Sequence, residues 1–223
     1  MKLFNRLDKA LICSLLSLSL FTSTLNVAAD EIQISHFSTE GLRGWEPKIF
    51  KGKTEYLLQQ EEGRTVVKAV SHAAASGMVR KIHFEPSTYR YLRWSWKITR
   101  TITGGDEKTK AGDDYAARLY VIFPGRFFWQ MKAINYIWAN RLPKGEHSPN
   151  AFASNAQMLA VESGNGRAGQ WVFEERDLLA DYRLLFGTDP PAADAIAIMT
   201  DTDNTGGNAE AWYGEISLST AGR

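Results

Sequence analysis

The sequence predicts an all-β protein, an antiparallel β-sandwich with one short helix, and three observations carry this prediction. Short segments rich in branched and aromatic residues recur along the chain, and Gly, Pro, Asn or Asp usually bounds them, which is typical of strands and turns. The 223 residues include 7 Trp, 8 Tyr and 11 Phe, residue types that favour sheets. Helical segments do not alternate with these strands, which argues against a parallel α/β sheet.

The N-terminal residues 1–29 have the pattern of a secretory signal. A basic start precedes an apolar, Ser-rich stretch over residues 10–21, and small residues follow before Asp30. The apolar stretch is too short to span a bilayer comfortably, although an uncleaved anchor is the alternative. We therefore expect cleavage after Ala29, one sandwich domain over residues 30–223, and a periplasmic or secreted bacterial protein.

The amino-acid composition limits the compartments in which the protein is expected and the classes of partner that it is expected to bind. Cys13, the only cysteine, lies inside the predicted signal, so the mature chain would have no thiol that could form a disulfide, which suits a bacterial periplasm. Cleavage would change the formal net charge from +1 to about −1, because three basic residues and one acidic residue are removed. We expect no nucleic-acid partner and no membrane span after cleavage. The sequence leaves the oligomeric state open.

Ten segments of the mature chain are predicted as strands. They are residues 31–37, 56–60, 65–70, 77–84, 91–98, 115–123, 157–162, 169–173, 195–200 and 211–218. Because side chains alternate between the two faces of a strand, Asp114 is expected to share a face with Arg118. In the last segment the same alternation is interpreted as Trp212 pointing inward and Tyr213 pointing outward.

One segment, near residues 175–186, predicts a helix. Apolar side chains there recur at helical spacing, Glu174 and Glu175 supply negative charge at the expected start, and Gly187 can end the helix. Residues 127–140 fit either a helix or a strand. The alternation within their AINYIWA portion favours a strand.

Several familiar catalytic and cofactor motifs are absent from the sequence or unsupported by their context. Gly164, Gly166 and Gly169 match GxGxxG formally, but a strand-like segment follows instead of a helix, so a turn is the better interpretation. The four histidines have no metal-ligand spacing, and no serine lies in a GxSxG elbow.

The stretch TDTDNTGG, between the last two predicted strands, allows three interpretations. Asp201, Asp203 and Asn204 carry the oxygen atoms that Ca²⁺ prefers, and Asp201 with Asp203 are the candidate metal ligands. Trp212 stands where an EF-hand would have its bidentate Glu, so the stretch is not an EF-hand. The same side chains suit a strand-to-strand turn, in which they accept hydrogen bonds from backbone amides, or contact with a ligand.

A second group of residues suits sugar recognition. Aromatic faces can stack on a sugar ring while amides and carboxylates pair with its hydroxyl groups. The group consists of Lys110, Asp113, Asp114, Arg118, Asn135, Tyr136 and Trp138. The alternative is a buried Asp–Arg pair that orders a corner of the sandwich.

Four stretches, taken in order, resemble a bacterial family catalogued as domain of unknown function 3047. They are GDDYAARLYVIF, NYIWA, DYRLLFG and AIAIMTDTDNTGGNAEAWYGEISL, and the resemblance covers about residues 34–218. It implies exported proteins whose β-sandwich is similar to galactose-binding-like jelly rolls, in which the first and last strands pair. The family carries no established reaction, so the resemblance implies no catalytic residue.

These observations favour a non-catalytic binding module for a carbohydrate or another small polar ligand of the cell envelope. The expected ligand-binding residues are Asp114, Arg118, Asn135, Tyr136, Trp138, Asp201, Asp203 and Asn204. No cofactor is expected apart from structural calcium. The alternatives are a glycan hydrolase or lyase that uses the Asp carboxylates, and a structural or interaction protein of the envelope.

Overall fold

The computed structural model describes residues 29–125 and 127–223, without the side chain of Phe128. The predicted signal lies outside the described residues except for Ala29, and its cleavage stays a prediction. Within the described part of the chain, no helix has the length and apolar character needed to cross a bilayer.

The described residues form two seven-stranded sheets. In chain order the strands are β1 (Glu31–Gln33), β2 (Trp45–Lys51), β3 (Glu55–Glu61), β4 (Arg64–His72), β5 (Ala75–Phe84), β6 (Tyr91–Ile98), β7 (Arg118–Phe123), β8 (Lys132–Ala139), β9 (His147–Pro149), β10 (Ala156–Ser163), β11 (Val172–Asp177), β12 (Ala193–Asp201), β13 (Asn208–Tyr213) and β14 (Ser217–Ser219). One α-helix, α1, spans Leu178–Phe186. Two short 3₁₀ helices span Lys110–Gly112 and Phe128–Gln130.

The first sheet has the strand order β1-β14-β6-β13-β4-β3, with β11 also paired to β6. The second sheet has the order β2-β5-β12-β7-β8-β10-β9. Successive strands from β4 to β7 alternate between the sheets, as in a jelly roll, and β1 pairs with β14 as the resemblance implied. The predicted antiparallel sandwich with one helix is confirmed, and β8 with β10 is a parallel exception.

Two strands were missed by the sequence interpretation for a physical reason. β2 contains Pro47 and lies at an edge of the second sheet, where a residue without an N–H is tolerated but the alternating pattern is weak. β9 is only three residues long. The ambiguous stretch near residues 127–140 contains β8, a strand, as its alternation favoured.

Aromatic side chains from both sheets fill the space between them. Trp94 and Trp96 on β6 meet Tyr136 and Trp138 on β8, with ring centroids 5.2 Å apart for Trp94–Tyr136 and 6.0 Å for Trp96–Trp138. All four side chains are buried. Large aromatic rings supply much of the apolar area that stabilises this sandwich.

The orientation expected for Trp212 and Tyr213 is wrong. Tyr213 is buried and its hydroxyl donates a hydrogen bond to the carbonyl oxygen of Met199 at 2.6 Å. Trp212 lies on the outer face of the first sheet, where the ammonium of Lys97 lies over its ring, 4.6 Å from the ring centroid. Both residues are amphipathic aromatics, so alternation placed them on opposite faces without identifying which face is the inner one.

The start expected for the helix is also displaced. Glu174 and Glu175 belong to β11, which pairs with β6 as far as Asp177. The side chain of Asp177 then accepts a hydrogen bond from the backbone N–H of Ala180 and caps α1. Gly187 ends the helix in the left-handed conformation, as expected.

Glu174 generates a prediction about the pH dependence of stability. Burial raises the pKa of its carboxyl group to about 7; Lys144 opposes this shift and Glu162 adds to it. In the unfolded chain the carboxyl group has a pKa of about 4.3, so the unfolded state ionises first and stability falls as the pH rises from about 4.3 to 7. Glu174→Gln should therefore raise the melting temperature at pH 8 more than at pH 4.5.

The exposed Glu146 provides a matched control, and Glu146→Gln should leave the pH profile of the melting temperature unchanged. Equal changes in the melting temperature at pH 4.5 and pH 8 would show that ionisation of the buried Glu174 does not destabilise the folded protein.

Candidate functional site

A cavity of about 460 Å³ lies on the outer face of the second sheet and brings together most of the predicted polar residues. Its lining consists of Phe50, Ala75, Asp113, Arg118, Tyr120, Asn135, Asn150, Phe152, Ala153, Ala156, Met199, Asp201, Asp203 and Asn204. Five of the eight predicted ligand-binding residues are among them. We call this space the polar cavity.

The floor of the polar cavity is set by strand register. On β7, Leu119 faces the core, so Arg118 and Tyr120 face outward. Tyr120 pairs with Asn135 on β8, and Arg118 pairs with Met199 on β12. Because these pairs are neighbouring rows of one sheet, the floor is rigid and its side chains are held in register.

The centre of the floor is a buried ion pair between Arg118 and Asp201. The Arg118 Nε donates to Asp201 Oδ1 at 2.9 Å, and a second guanidinium N–H donates to Asp201 Oδ2. The two side chains are 5% and 1% exposed, and the Tyr115 ring lies 4.4 Å from the guanidinium. The alternative for the second group, a buried Asp–Arg pair, holds for Arg118, but its partner is Asp201 and neither Asp113 nor Asp114. Both side chains of the pair also line the cavity.

Asp114 orders the TDTDNTGG turn through hydrogen bonds from inside the protein. It is completely buried, and its carboxylate accepts hydrogen bonds from the backbone N–H of Asn204 at 3.2 Å and of Thr205 at 2.7 Å, as well as from the Thr205 hydroxyl at 2.6 Å. Asp114 does not line the polar cavity. Its position fixes Asn204 and Asp203, which do.

Carboxylate oxygens of Asp114, Asp201 and Asp203 lie within 4.8 Å of one another, the arrangement that a cation would need. However, Asp201 already accepts two hydrogen bonds from Arg118, and Asp114 accepts from Asn204 and Thr205. Asp203 lies 3.8 Å from the Lys51 ammonium. Calcium binding by Asp201 and Asp203 stays a prediction, and it would require these oxygens to exchange partners.

Two amide side chains and Asp113 form another polar wall. Asn150 donates to both carboxylate oxygens of Asp113 at 2.9 Å, and the Tyr115 hydroxyl donates to the same carboxylate at 3.1 Å. Asn135 is 1% exposed, and its Nδ2 lies 3.2 Å from the sulfur of Met158. Within the described part of the chain, the Asn135 Oδ1 is buried without a hydrogen-bond partner.

The aromatic part of the site comes from residues that sequence reasoning missed. Phe50 and Phe152 are 64% and 56% exposed and line the cavity. Phe50 belongs to the unpredicted strand β2. Phe152 lies in the segment that returns from the end of β8 to the start of the parallel strand β10, so this segment passes along the cavity. The aromatic and polar composition of that segment was the available signal.

The structure does not bring Tyr136 and Trp138 to the cavity. They alternate with Asn135 along β8 and therefore face the core, where the Tyr136 hydroxyl donates to Asp181 at 2.8 Å. The Trp138 Nε1 donates to the carbonyl oxygen of Gly164 at 2.9 Å. Because adjacent residues of a strand point to opposite faces, Asn135 and Tyr136 cannot line the same cavity.

Comparison with known proteins adds a family and several distant structural similarities. The model of a family described as protein of unknown function (DUF3047) matches residues 43–217, so the chain belongs to this family. No curated protein sequence matches.

Among solved structures, the family 11 carbohydrate-binding module of the cellulosomal cellulase Lic26A-Cel5E of Clostridium thermocellum is 10% identical, with 87% of this chain and 96% of that chain covered and a TM-score of 0.46. The exolytic PL7 alginate lyase AlyA5 from Zobellia galactanivorans is 11% identical, with 82% and 96% covered and a TM-score of 0.39. Winged bean acidic lectin complexed with methyl-α-D-galactose is 12% identical, with 88% and 100% covered and a TM-score of 0.37. Similarities at this level do not indicate what the present chain binds.

The Arg118–Asp201 pair generates a stability prediction. Arg118→Met should lower the free energy of unfolding by about 3–5 kcal/mol, because it leaves the Asp201 carboxylate buried without its counter-charge. The double variant Arg118→Met with Asp201→Leu should recover much of this loss, since no buried charge remains. Urea unfolding of the three proteins measures the differences.

The exposed pair between Lys81 and Glu46 supplies the control, because solvent screens its charges. Lys81→Met should change the urea midpoint little. An Arg118→Met protein as stable as the parent would contradict the view that the pair is buried and dry.

Proposed function

We propose that this member of the DUF3047 family is a non-catalytic binding module that holds a carbohydrate, or another small polar ligand of the cell envelope, in the polar cavity. The observation that carries the proposal is Asn135, which lines the cavity and whose buried Oδ1 has no hydrogen-bond partner among the described residues. An unpaired buried acceptor is costly, and a ligand hydroxyl or amide N–H would satisfy it.

The chemistry of the remaining lining supports a polyhydroxylated ligand. Asn204 and Asp203 offer planar polar groups at the edge of the cavity, and Arg118 adds a guanidinium on its floor. Phe50 and Phe152 present exposed rings on which the C–H face of a sugar can stack. The volume of about 460 Å³ falls within the range of small-molecule sites.

The hydrogen bonding of the carboxylates favours binding over catalysis. Glycoside hydrolysis requires two carboxyl groups that can exchange protons with the substrate. In the cavity, Arg118 neutralises Asp201, and Asn150 and Tyr115 occupy the oxygens of Asp113. Positioning and recognition suit carboxylates that are held in this way better than proton exchange does.

Titration calorimetry of the purified protein tests the proposal with methyl β-D-glucopyranoside, methyl α-D-mannopyranoside, N-acetylglucosamine and soluble cell-wall fragments. At least one should bind, and Asn135→Ala should weaken that binding about 3- to 10-fold, the value of one hydrogen bond between neutral groups. The exposed Asn165 provides the matched control, and Asn165→Ala should leave affinity unchanged.

Three outcomes would contradict the proposal. Absence of binding to every sugar in the series would favour a structural or interaction protein of the envelope. Binding that Asn135→Ala does not weaken would place the ligand elsewhere on the molecule. Release of reducing ends from a polysaccharide, lost in Asp201→Asn, would make the protein a glycan-active enzyme.

A further inference from the structure

We infer that the ligand is an amphiphile whose polar head lies in the polar cavity and whose apolar chain lies in a second cavity beside it. This inference rests on the proposed function and specifies the class of its ligand. The second cavity has a volume of about 400 Å³ and lies on the same face of the second sheet. We call it the apolar channel.

The floor of the apolar channel has almost no side chains that can form hydrogen bonds. Neighbouring rows of the sheet place Val79 beside Ala197, and Ile122 beside Ala133. The full lining consists of Lys48, Phe50, Gly77, Val79, Tyr120, Ile122, Met131, Lys132, Ala133, Ala153, Asn155, Ala156, Ala197, Ile198 and Met199. Such a surface gains nothing from sugar hydroxyls and gains free energy when it covers methylene groups.

The two cavities adjoin each other. Five residues line both of them: Phe50, Tyr120, Ala153, Ala156 and Met199. Along β7 the outward side chains change from Arg118 to Tyr120 to Ile122, so polarity falls steadily from the polar cavity into the channel. One molecule with a polar end and an apolar end would match this gradient. Two separate ligands would compete for contact with the five shared residues.

The size of the channel favours a small molecule over a protein partner. A stable protein interface buries about 800 Å² on each side, whereas sites for small ligands are concave and measure about 300–1,000 Å³. The small side chains of Ala133 and Ala197 keep the floor low, and the exposed side chains of Phe50 and Met131 stand at the rim. An alkyl chain or an apolar ring joined to the polar head fits this shape.

Fluorescence measurements on the purified protein test the inference with two kinds of probe. N-phenyl-1-naphthylamine, an apolar dye, should bind saturably. n-Octyl β-D-glucopyranoside, used below its critical micelle concentration, should displace the dye at least about 30-fold more effectively than methyl β-D-glucopyranoside. Each buried methylene group strengthens binding about fourfold, so three of them exceed this factor.

Variants locate the effect within the channel. Ala197→Phe places a ring on the floor and should reduce dye affinity at least about 10-fold. Ala133→Leu, a smaller addition on the neighbouring row, should reduce it less and keeps the test informative if the larger side chain impairs folding. Ala221→Phe, at an exposed position near the C-terminus, should leave dye binding unchanged.

The outcomes separate this inference from the proposed function. Absence of saturable dye binding, dye binding that neither channel variant weakens, or equal displacement by the octyl and methyl glucosides would overturn the inference and leave the polar cavity as proposed. Asn135→Ala should weaken displacement by octyl glucoside while dye affinity stays unchanged. If Asn135→Ala had no effect on displacement, the proposed head-group site would be contradicted although the channel would stand.

Discussion

The buried pair between Arg118 and Asp201 is the interaction on which the polar face of the sandwich depends. Two charges inside a protein are tolerated only when each satisfies the other, and these two are bound by two hydrogen bonds on adjacent strands. The pair fixes the end of β12, from which the TDTDNTGG turn departs, and Asp114 then orders that turn by accepting its N–H groups. The TDTDNTGG turn at the edge of the cavity therefore depends on this ion pair and on Asp114.

The two faces of the second sheet differ in character because side chains alternate along its strands. On β8, Tyr136 and Trp138 pack against the tryptophans of the first sheet, while Asn135 and Ala133 face outward. The inner face supplies apolar burial, and the outer face carries the two cavities. A substitution of Asn135 or Ala133 thus leaves the apolar area buried between the sheets intact.

Much of this arrangement could be predicted from local sequence, and the remainder depends on long-range geometry. Alternation placed Arg118 on a polar face, whereas Asp201, expected after the strand, is the last residue of β12. Alternation could not identify which face of β8 points to the core, so Tyr136 was grouped with Asn135 although neighbours on a strand diverge. The contribution of Phe50 was not predictable, because an edge strand with a proline carries too little pattern. The approach of Phe152 follows only from the parallel crossover.

That crossover has a consequence for the shape of both cavities. Since β8 and β10 run in the same direction, the chain must travel back along the sheet between them, and this return segment passes beside both cavities. Strand pairing holds this segment through β9, and Leu142 packs in the core, while Phe152 and Ala153 line the cavities. Strand register therefore sets the floor, whereas the wall depends on the length and composition of this one segment. Changing that segment would remodel both cavities while the floor stays in place.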